Sequence, residues 1–215
     1  DIFDGWLKDM QDFVQNTLSI KPENLRVREH DDQERSFYSK KTVDLEYNYP
    51  FGFKELWGLA YRTDYDLNQH IKHSGKDLSY TDPFTLEKFV PHVIEPAVGI
   101  DRLVLMVLCD AYLVDEANHR TVLKLSPNLA PYTAAVFPLV KNNEEIVGRA
   151  KEVYDSLKSS FRVAWDDRGN IGKRYLYQDE IGTPFCVTID HDTLADSMVT
   201  VRDRDTMQQK RVAIG

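Results

Sequence analysis

The chain has 215 residues, 42% hydrophobic and 29% charged, a balance that can bury a core and build one large or two small domains. No apolar run reaches the ~20 residues a membrane helix needs, and the start, Asp1-Ile2-Phe3-Asp4-Gly5-Trp6, lacks the basic and apolar regions of a signal peptide. A net charge of −8 excludes a protein that coats nucleic acid indiscriminately.

The charge is uneven. Residues 1–120 hold 14 Lys and Arg against 22 Asp and Glu, whereas residues 121–215 hold 13 of each. The second part can therefore carry local basic patches, as a reader of one particular RNA would. The two cysteines, Cys109 and Cys186, lie in apolar surroundings and read as reduced, buried thiols of a cytoplasmic protein. A chain that opens directly into an amphipathic pattern suggests a portion of something longer.

In chain order, Ile2, Trp6, Leu7, Met10, Phe13, Val14 and Leu18 recur at helical spacing and predict a helix over 2–18. Lys21 to Asn24 is a turn, and Leu25 to Arg28 and Val43 to Tyr47 alternate as strands. A break at 50–52 precedes a strand over Glu55–Ala60. Residues 64–73 are polar with helical spacing, and 75–88 form a loop or hairpin. A buried strand over 89–96 ends at Gly99, and Ile100, Leu103, Val104, Val107, Leu108 and Ala111 predict an apolar helix. The polar stretch 115–119 is the expected domain boundary. Beyond it, strands at 122–125, 134–139, 161–165, 185–189, 198–202 and 210–214 alternate with helices at 144–159 and 171–181, an α/β pattern.

Three segments concentrate chemistry. In Glu95-Pro96-Ala97-Val98-Gly99-Ile100-Asp101-Arg102, a strand delivers an acid and a helix opens with an arginine, whose fork suits phosphate oxygens. Arg102 could equally pair with Asp101 or Glu95. In Glu55-Leu56-Trp57-Gly58-Leu59-Ala60-Tyr61-Arg62, an acid begins an apolar strand and needs a partner, either a substrate ammonium or Arg62 or Lys54. Lys173 and Arg174, interleaved with Tyr175 and Tyr177, suit phosphate contact and base stacking, or a solvated helix edge. The histidines show only His70 and His73 at i, i+3, too little for a metal site, so none is expected.

Together these segments resemble glycyl-tRNA synthetase of the bacterial homodimeric type. Glu55 to Leu67 with His70 is similar to that family's glycine-site strand, and residues 93–108 are similar to motif 3 of class II synthetases. Ala130-Pro131-Tyr132, Phe137-Pro138-Leu139, Ile171 to Tyr175, Asp179 to Phe185 and Val201 to Asp205 are similar to its class IIa anticodon-binding domain. The resemblance implies an α/β (α+β) chain: over 1–118 the C-terminal part of an antiparallel-sheet catalytic domain, and over 119–215 an anticodon-binding domain with a mixed five-stranded sheet.

It also implies a ligase that uses ATP with Mg²⁺, glycine and glycine tRNA, in the cytoplasm, away from membranes, as a homodimer. Arg102 and Glu95 would serve catalysis and ATP binding. Glu55, Glu95, Ala97 and Arg62 would hold glycine, and Lys173, Arg174, Tyr175, Arg202 and Arg204 would meet tRNA. The family usually has serine at the position of Ala97. Motifs 1 and 2 are not in the chain, so by itself it is not expected to activate glycine. The alternative is a non-catalytic, synthetase-like accessory subunit that binds nucleic acid; retention of Glu55, Glu95 and Arg102 favours the enzyme.

Overall fold

The computed structural model describes residues 1–214, which divide into two compact units, Asp1–Cys109 and the chain from Asp110 onward. The first unit opens with α1 (Ile2–Asp12), started by a reciprocal cap in which the Asp1 side chain accepts from the Asp4 N–H. The helix widens into a π turn over Phe13–Thr17, so the predicted helix is present in two forms. A short 3₁₀ turn, Pro22–Asn24, leads to β1 (Leu25–Glu29), β2 (Lys41–Tyr49) and β3 (Gly52–Thr63). Next come α2 (Tyr65–Ser74) and a small hairpin of β4 (Tyr80–Thr81) with β5 (Lys88–Phe89). The unit closes with β6 (Val93–Val98) and α3 (Ile100–Ala111). The predicted strand over 89–96 is therefore two pieces, with Val90, Pro91 and His92 outside both.

β1, β2, β3 and β6 form an antiparallel sheet in that order. Alternation puts Val43, Leu45, Tyr47 and Leu59 on one face, where they pack with Phe3, Met10, Val14 and Met106. The other face is polar. Its register is broken once against β2: pairing passes from Leu45–Trp57 to Glu46–Glu55, so Leu56 has no opposite residue. Leu56 is fully buried, and Glu55 moves to the polar face, opposite Glu46. A second irregularity leaves Arg62 without an opposite residue on β6.

The second unit begins with a hairpin of β7 (Tyr112–Asp115) and β8 (Arg120–Leu123). Its main sheet comprises β9 (Ala134–Pro138), β10 (Val163–Trp165), β11 (Phe185–Ile189), β12 (Met198–Asp203) and β13 (Gln209–Ala213), in the order β10-β9-β11-β12-β13. β9 runs parallel to β10 and β11, whereas β12 and β13 pair antiparallel, so the five-stranded sheet is mixed, as expected. α4 (Glu144–Leu157) covers one face through Ile146, Ala150 and Val153 against Val136, Val187 and Ile189. α5 (Ile171–Ile181) lies on the other, where Tyr175 packs with Ala135, Phe137 and Cys186. Burial pushes the Cys186 thiol up to about 12. A short α6 (His191–Asp196), unread in the sequence, is capped by Asp190. Among the described residues no helix is long and apolar enough to cross a membrane.

The polar stretch 115–119 is not a free linker between the compact units. It is the turn of the β7–β8 hairpin, with His119 at φ +50°. Arg120 ties that hairpin to α5 through Asp179 at 2.8 Å.

Gly182 ends α5 at φ +92°, and a Cβ there would lie 2.8 Å from Leu125 Cδ1 and 3.0 Å from the Leu123 carbonyl oxygen. Gly182→Ala combines left-handed strain with that clash and should cost roughly 1–3 kcal/mol. Urea unfolding reads this as a lower midpoint with an unchanged slope; an unchanged midpoint would contradict the geometry.

Candidate functional site

On the polar face of the first sheet, Gly58 lies opposite both Asp44 and Ala97, and Ala60 lies opposite Glu95. Three residues with little or no side chain therefore make a low floor between charged walls. The bulge at Leu56 brings Glu55 to its edge: Glu55 Oε1 would be 3.6 Å from a Cβ at Gly58. Arg102, in the first turn of α3, reaches Glu55 with Nη1, 3.2 Å from Oε2 and 3.1 Å from the Glu55 carbonyl oxygen. Both side chains are about half exposed. The partner of Glu55 is thus Arg102, neither Arg62 nor Lys54.

Glu95 is held from the same face. Arg62 Nη1 donates to Glu95 Oε2 at 2.5 Å, while Nε and Nη2 donate to Asp66 at 2.6 and 2.7 Å. The guanidinium also lies 4.2 Å over the Tyr38 ring. These bonds, the one to Asp66 foremost, raise the pKa of Arg62, and Arg62 in turn holds the Asp66 carboxyl below the usual carboxylate range. Arg62 therefore fixes the Glu95 carboxylate while being fixed itself.

Sequence reading missed the floor's inner wall. Asp44 and Glu46 are each 5% exposed and are satisfied by side chains on and just after β1. Arg28 Nη2 and His30 Nε2 meet Asp44 Oδ2 at 3.2 and 2.7 Å, and Arg26 and Arg28 grip Glu46. The signal was available: Arg26, Arg28 and His30 alternate as do Asp44 and Glu46, and antiparallel pairing sets such rows side by side. Beside Glu55 and Arg102, an open pocket of about 330 Å³ is lined by Tyr49, Phe51, Lys54 and Leu105, with Phe51 stacked on Tyr49 at 5.2 Å.

In the second unit the expected RNA contacts separate into two groups. Lys173 is exposed on α5, its N–H capped by Asn170. Arg174 points inward and is 2% exposed. It donates to the carbonyls of Pro138 (2.6 Å), Arg168 (2.9 Å), Gly169 (3.0 Å) and Asp167 (3.1 Å). Arg202 makes a two-pronged pair with Asp179 at 2.8 and 2.9 Å, and Arg204 binds the Gly182 and Leu123 carbonyls. Tyr175 spends its hydroxyl on Thr188 at 2.6 Å and its ring edge on Phe137. Arg174, Tyr175, Arg202 and Arg204 thus face the interior, because buried carbonyls and the fully buried Asp179 need donors. Of the expected five, only Lys173 is fully presented to solvent. It shares an open cleft of about 540 Å³ with Arg168, whose side chain is 83% exposed, and Tyr177.

Residues 133–215 match the anticodon binding domain family. The whole chain is similar to glycine–tRNA ligases. The protein of Clostridium perfringens is 52% identical over 99% of this chain and 46% of its own length. That of Clostridium tetani is 52% identical over 97% of the chain and 46% of its length. The ligase of Caldanaerobacter subterraneus subsp. tengcongensis is 52% identical over 99% and 46%. The chain spans about half the length of the curated relatives it matches.

Asp179 holds Arg120 and Arg202 with no exposure of its own. Asp179→Ala would leave Arg202 buried without its carboxylate and Arg120 with the Asp115 carboxylate alone, and should cost roughly 3–5 kcal/mol. Lys173→Ala, on the surface, should stay within about 0.5 kcal/mol. Denaturant melts of the two variants check this pair, and equal stabilities would refute the assignment of inward and outward cations.

Proposed function

We propose that this chain, similar to glycine–tRNA ligases along its whole length, supplies the motif 3, glycine-binding and anticodon-reading part of their activity. The observation that carries this reading is the low floor of Gly58, Ala60 and Ala97 between Glu55, Glu95 and the arginines that hold them. A site with carboxylates for an ammonium, a guanidinium for phosphates and little room above the floor suits the smallest amino acid joined to a nucleotide.

In the proposed reaction a glycine carboxylate oxygen attacks the α-phosphorus of Mg·ATP. The bond to the bridging oxygen breaks and pyrophosphate leaves with the negative charge. A ribose hydroxyl at the tRNA 3′ end then attacks the glycyl carbonyl, and AMP departs. Arg102 acts on the first step: its contacts with Glu55 use Nη1, so another nitrogen of the fork can meet a phosphate oxygen where charge develops. Glu95, oriented by Arg62, and Glu55 orient the glycine ammonium. Ala97 offers a small surface and its backbone where the family usually has serine.

We assign the first compact unit to the catalytic part and the second, which contains the expected 119–215, to anticodon binding, in a cytoplasmic homodimer. Lys173 leads the tRNA contacts, joined by Arg168 and Tyr177 at the same cleft; Arg174, Tyr175, Arg202 and Arg204 shape that surface from within. The retained Glu55, Glu95 and Arg102 argue for the ligase over a non-catalytic accessory subunit.

The 215 residues should bind glycine tRNA yet give no glycine-dependent ATP–pyrophosphate exchange, since motifs 1 and 2 are absent from their sequence. Replacing both Arg168 and Lys173 with alanine should weaken tRNA binding several-fold and reduce the slope of log affinity against log salt by roughly 1–2. Filter binding at several salt concentrations reads both. An unaltered slope would remove the cleft from the tRNA surface, and absence of any tRNA binding would remove the anticodon-reading role.

A further inference from the structure

The cleft beside α5 has a hydrogen-bond donor in its wall that the fold leaves unused. Gln178 is 4% exposed. Its Oε1 accepts from the Thr183 hydroxyl at 2.6 Å, and that hydroxyl, fully buried, makes no other hydrogen bond. The hydroxyl hydrogen needs an acceptor, so the amide keeps its oxygen toward Thr183 and turns its nitrogen away. Nε2 itself has no partner within the chain. Among the described residues, Trp57 Nε1 is the one fully enclosed side-chain nitrogen or oxygen without a partner. Gln178 Nε2 therefore keeps a small contact with solvent, and the opening that Gln178 lines is the cleft of about 540 Å³ it shares with Asp166, Arg168, Lys173, Tyr177 and Glu180. An amide donor this deep costs free energy unless a ligand meets it.

The surroundings decide which ligand that is. Arg168 and Lys173 are exposed cations and suit phosphates. Deeper in, Asp166 is as buried as Gln178 and its carboxylate is held by Arg168 at 3.1 and 3.3 Å, while Glu180 adds a second carboxylate. A phosphate drawn down to the amide would meet these charges, and a neutral polar edge would not. Tyr177, half exposed, offers an aromatic face. An acceptor edge, a flat π face and no charge of its own describe a nucleobase, with its phosphates left for the rim. We propose that the α5 cleft seats one unstacked RNA base, with Gln178 Nε2 donating to a carbonyl or ring-nitrogen acceptor on its edge and Tyr177 stacking on its face. Gln178 is then a specificity-determining residue and Thr183 a positioning residue. With Oε1 spent on Thr183, the amide presents hydrogens only, so it takes an acceptor and refuses an amino or imino group. The inference rests on the tRNA-binding reading and adds a base-reading residue to its cations.

The test titrates the ¹⁵N-labelled chain with glycine tRNA and, separately, with tripolyphosphate, which carries charge without bases. Both should shift the backbone amides around Arg168 and Lys173, but only the tRNA should shift the side-chain amide of Gln178. Gln178→Met combined with Thr183→Val replaces both hydrogen-bond partners by apolar groups of similar shape, so the fold should persist. This double variant should bind glycine tRNA about tenfold more weakly, the loss of one hydrogen bond. Its slope of log affinity against log salt should stay unchanged, because no phosphate contact is lost. A Gln178 amide that tRNA leaves unmoved, or full affinity in the folded double variant, would overturn the seat. A Gln178 amide moved by tripolyphosphate, or a slope that falls with the affinity, would make Gln178 a phosphate ligand and overturn it as well. Should the double variant fail to fold, the amide shifts of the unaltered chain still decide. A chain that binds tRNA without moving Gln178 loses the seat and keeps the tRNA reading, whereas one that binds no tRNA loses both.

Discussion

Strand alternation, interrupted once at Leu56, governs what the first unit can do. In an unbroken β3 strand, Glu55 would share the face of Trp57 and Leu59 and would carry a charge into the core. The extra residue lets Leu56 fill that core and turns Glu55 outward, to the face that already holds Gly58 and Ala60. Arg102 then has a carboxylate within reach. The bulge costs local pairing and is tolerated because Leu56 adds apolar burial of about 1.5–3 kcal/mol.

The polar face is nearly self-neutralising. Asp44 and Glu46 face Arg26, Arg28 and His30, Glu55 faces Arg102, and Glu95 faces Arg62. Paired in this way, the Asp44 and Glu46 carboxylates are buried, whereas those of Glu55 and Glu95 stay about half exposed. The two units use arginine differently. In the first, guanidinium groups leave carboxylate oxygens facing open space. In the second, Arg120 and Arg202 neutralise Asp179 in the interior, where the pairs join a hairpin, a helix and a strand.

Most of the framework was legible because periodicity reports burial. The amphipathic spacing of α1, the apolar run of α3 and the strands of the second unit's main sheet lie close to where their patterns indicated, whereas β7 was unread and the strand expected at 122–125 is Arg120–Leu123. Less legible were features decided by tertiary partners. The polar run at 115–119 has linker composition, yet it is a hairpin turn because Arg120 finds Asp179, distant in sequence. Arg174, Arg202 and Arg204 look like RNA ligands in a list of basic residues, and no local pattern reveals that the Pro138 carbonyl, the Asp179 carboxylate and the Gly182 and Leu123 carbonyls, respectively, await them. Asp44 escaped notice for the opposite reason: a single carboxylate in an alternating strand gains meaning only from Gly58 across the ladder.

Arg174 has a consequence for recognition at the neighbouring cleft. By binding carbonyls of Asp167, Arg168 and Gly169 together with Pro138, it fastens the loop before α5 to the end of β9. Arg168 and Lys173 therefore project from an anchored base. A polyanion arriving there would immobilise two side chains but would not have to order the backbone beneath them, which removes much of the entropic penalty that flexible basic loops incur on association.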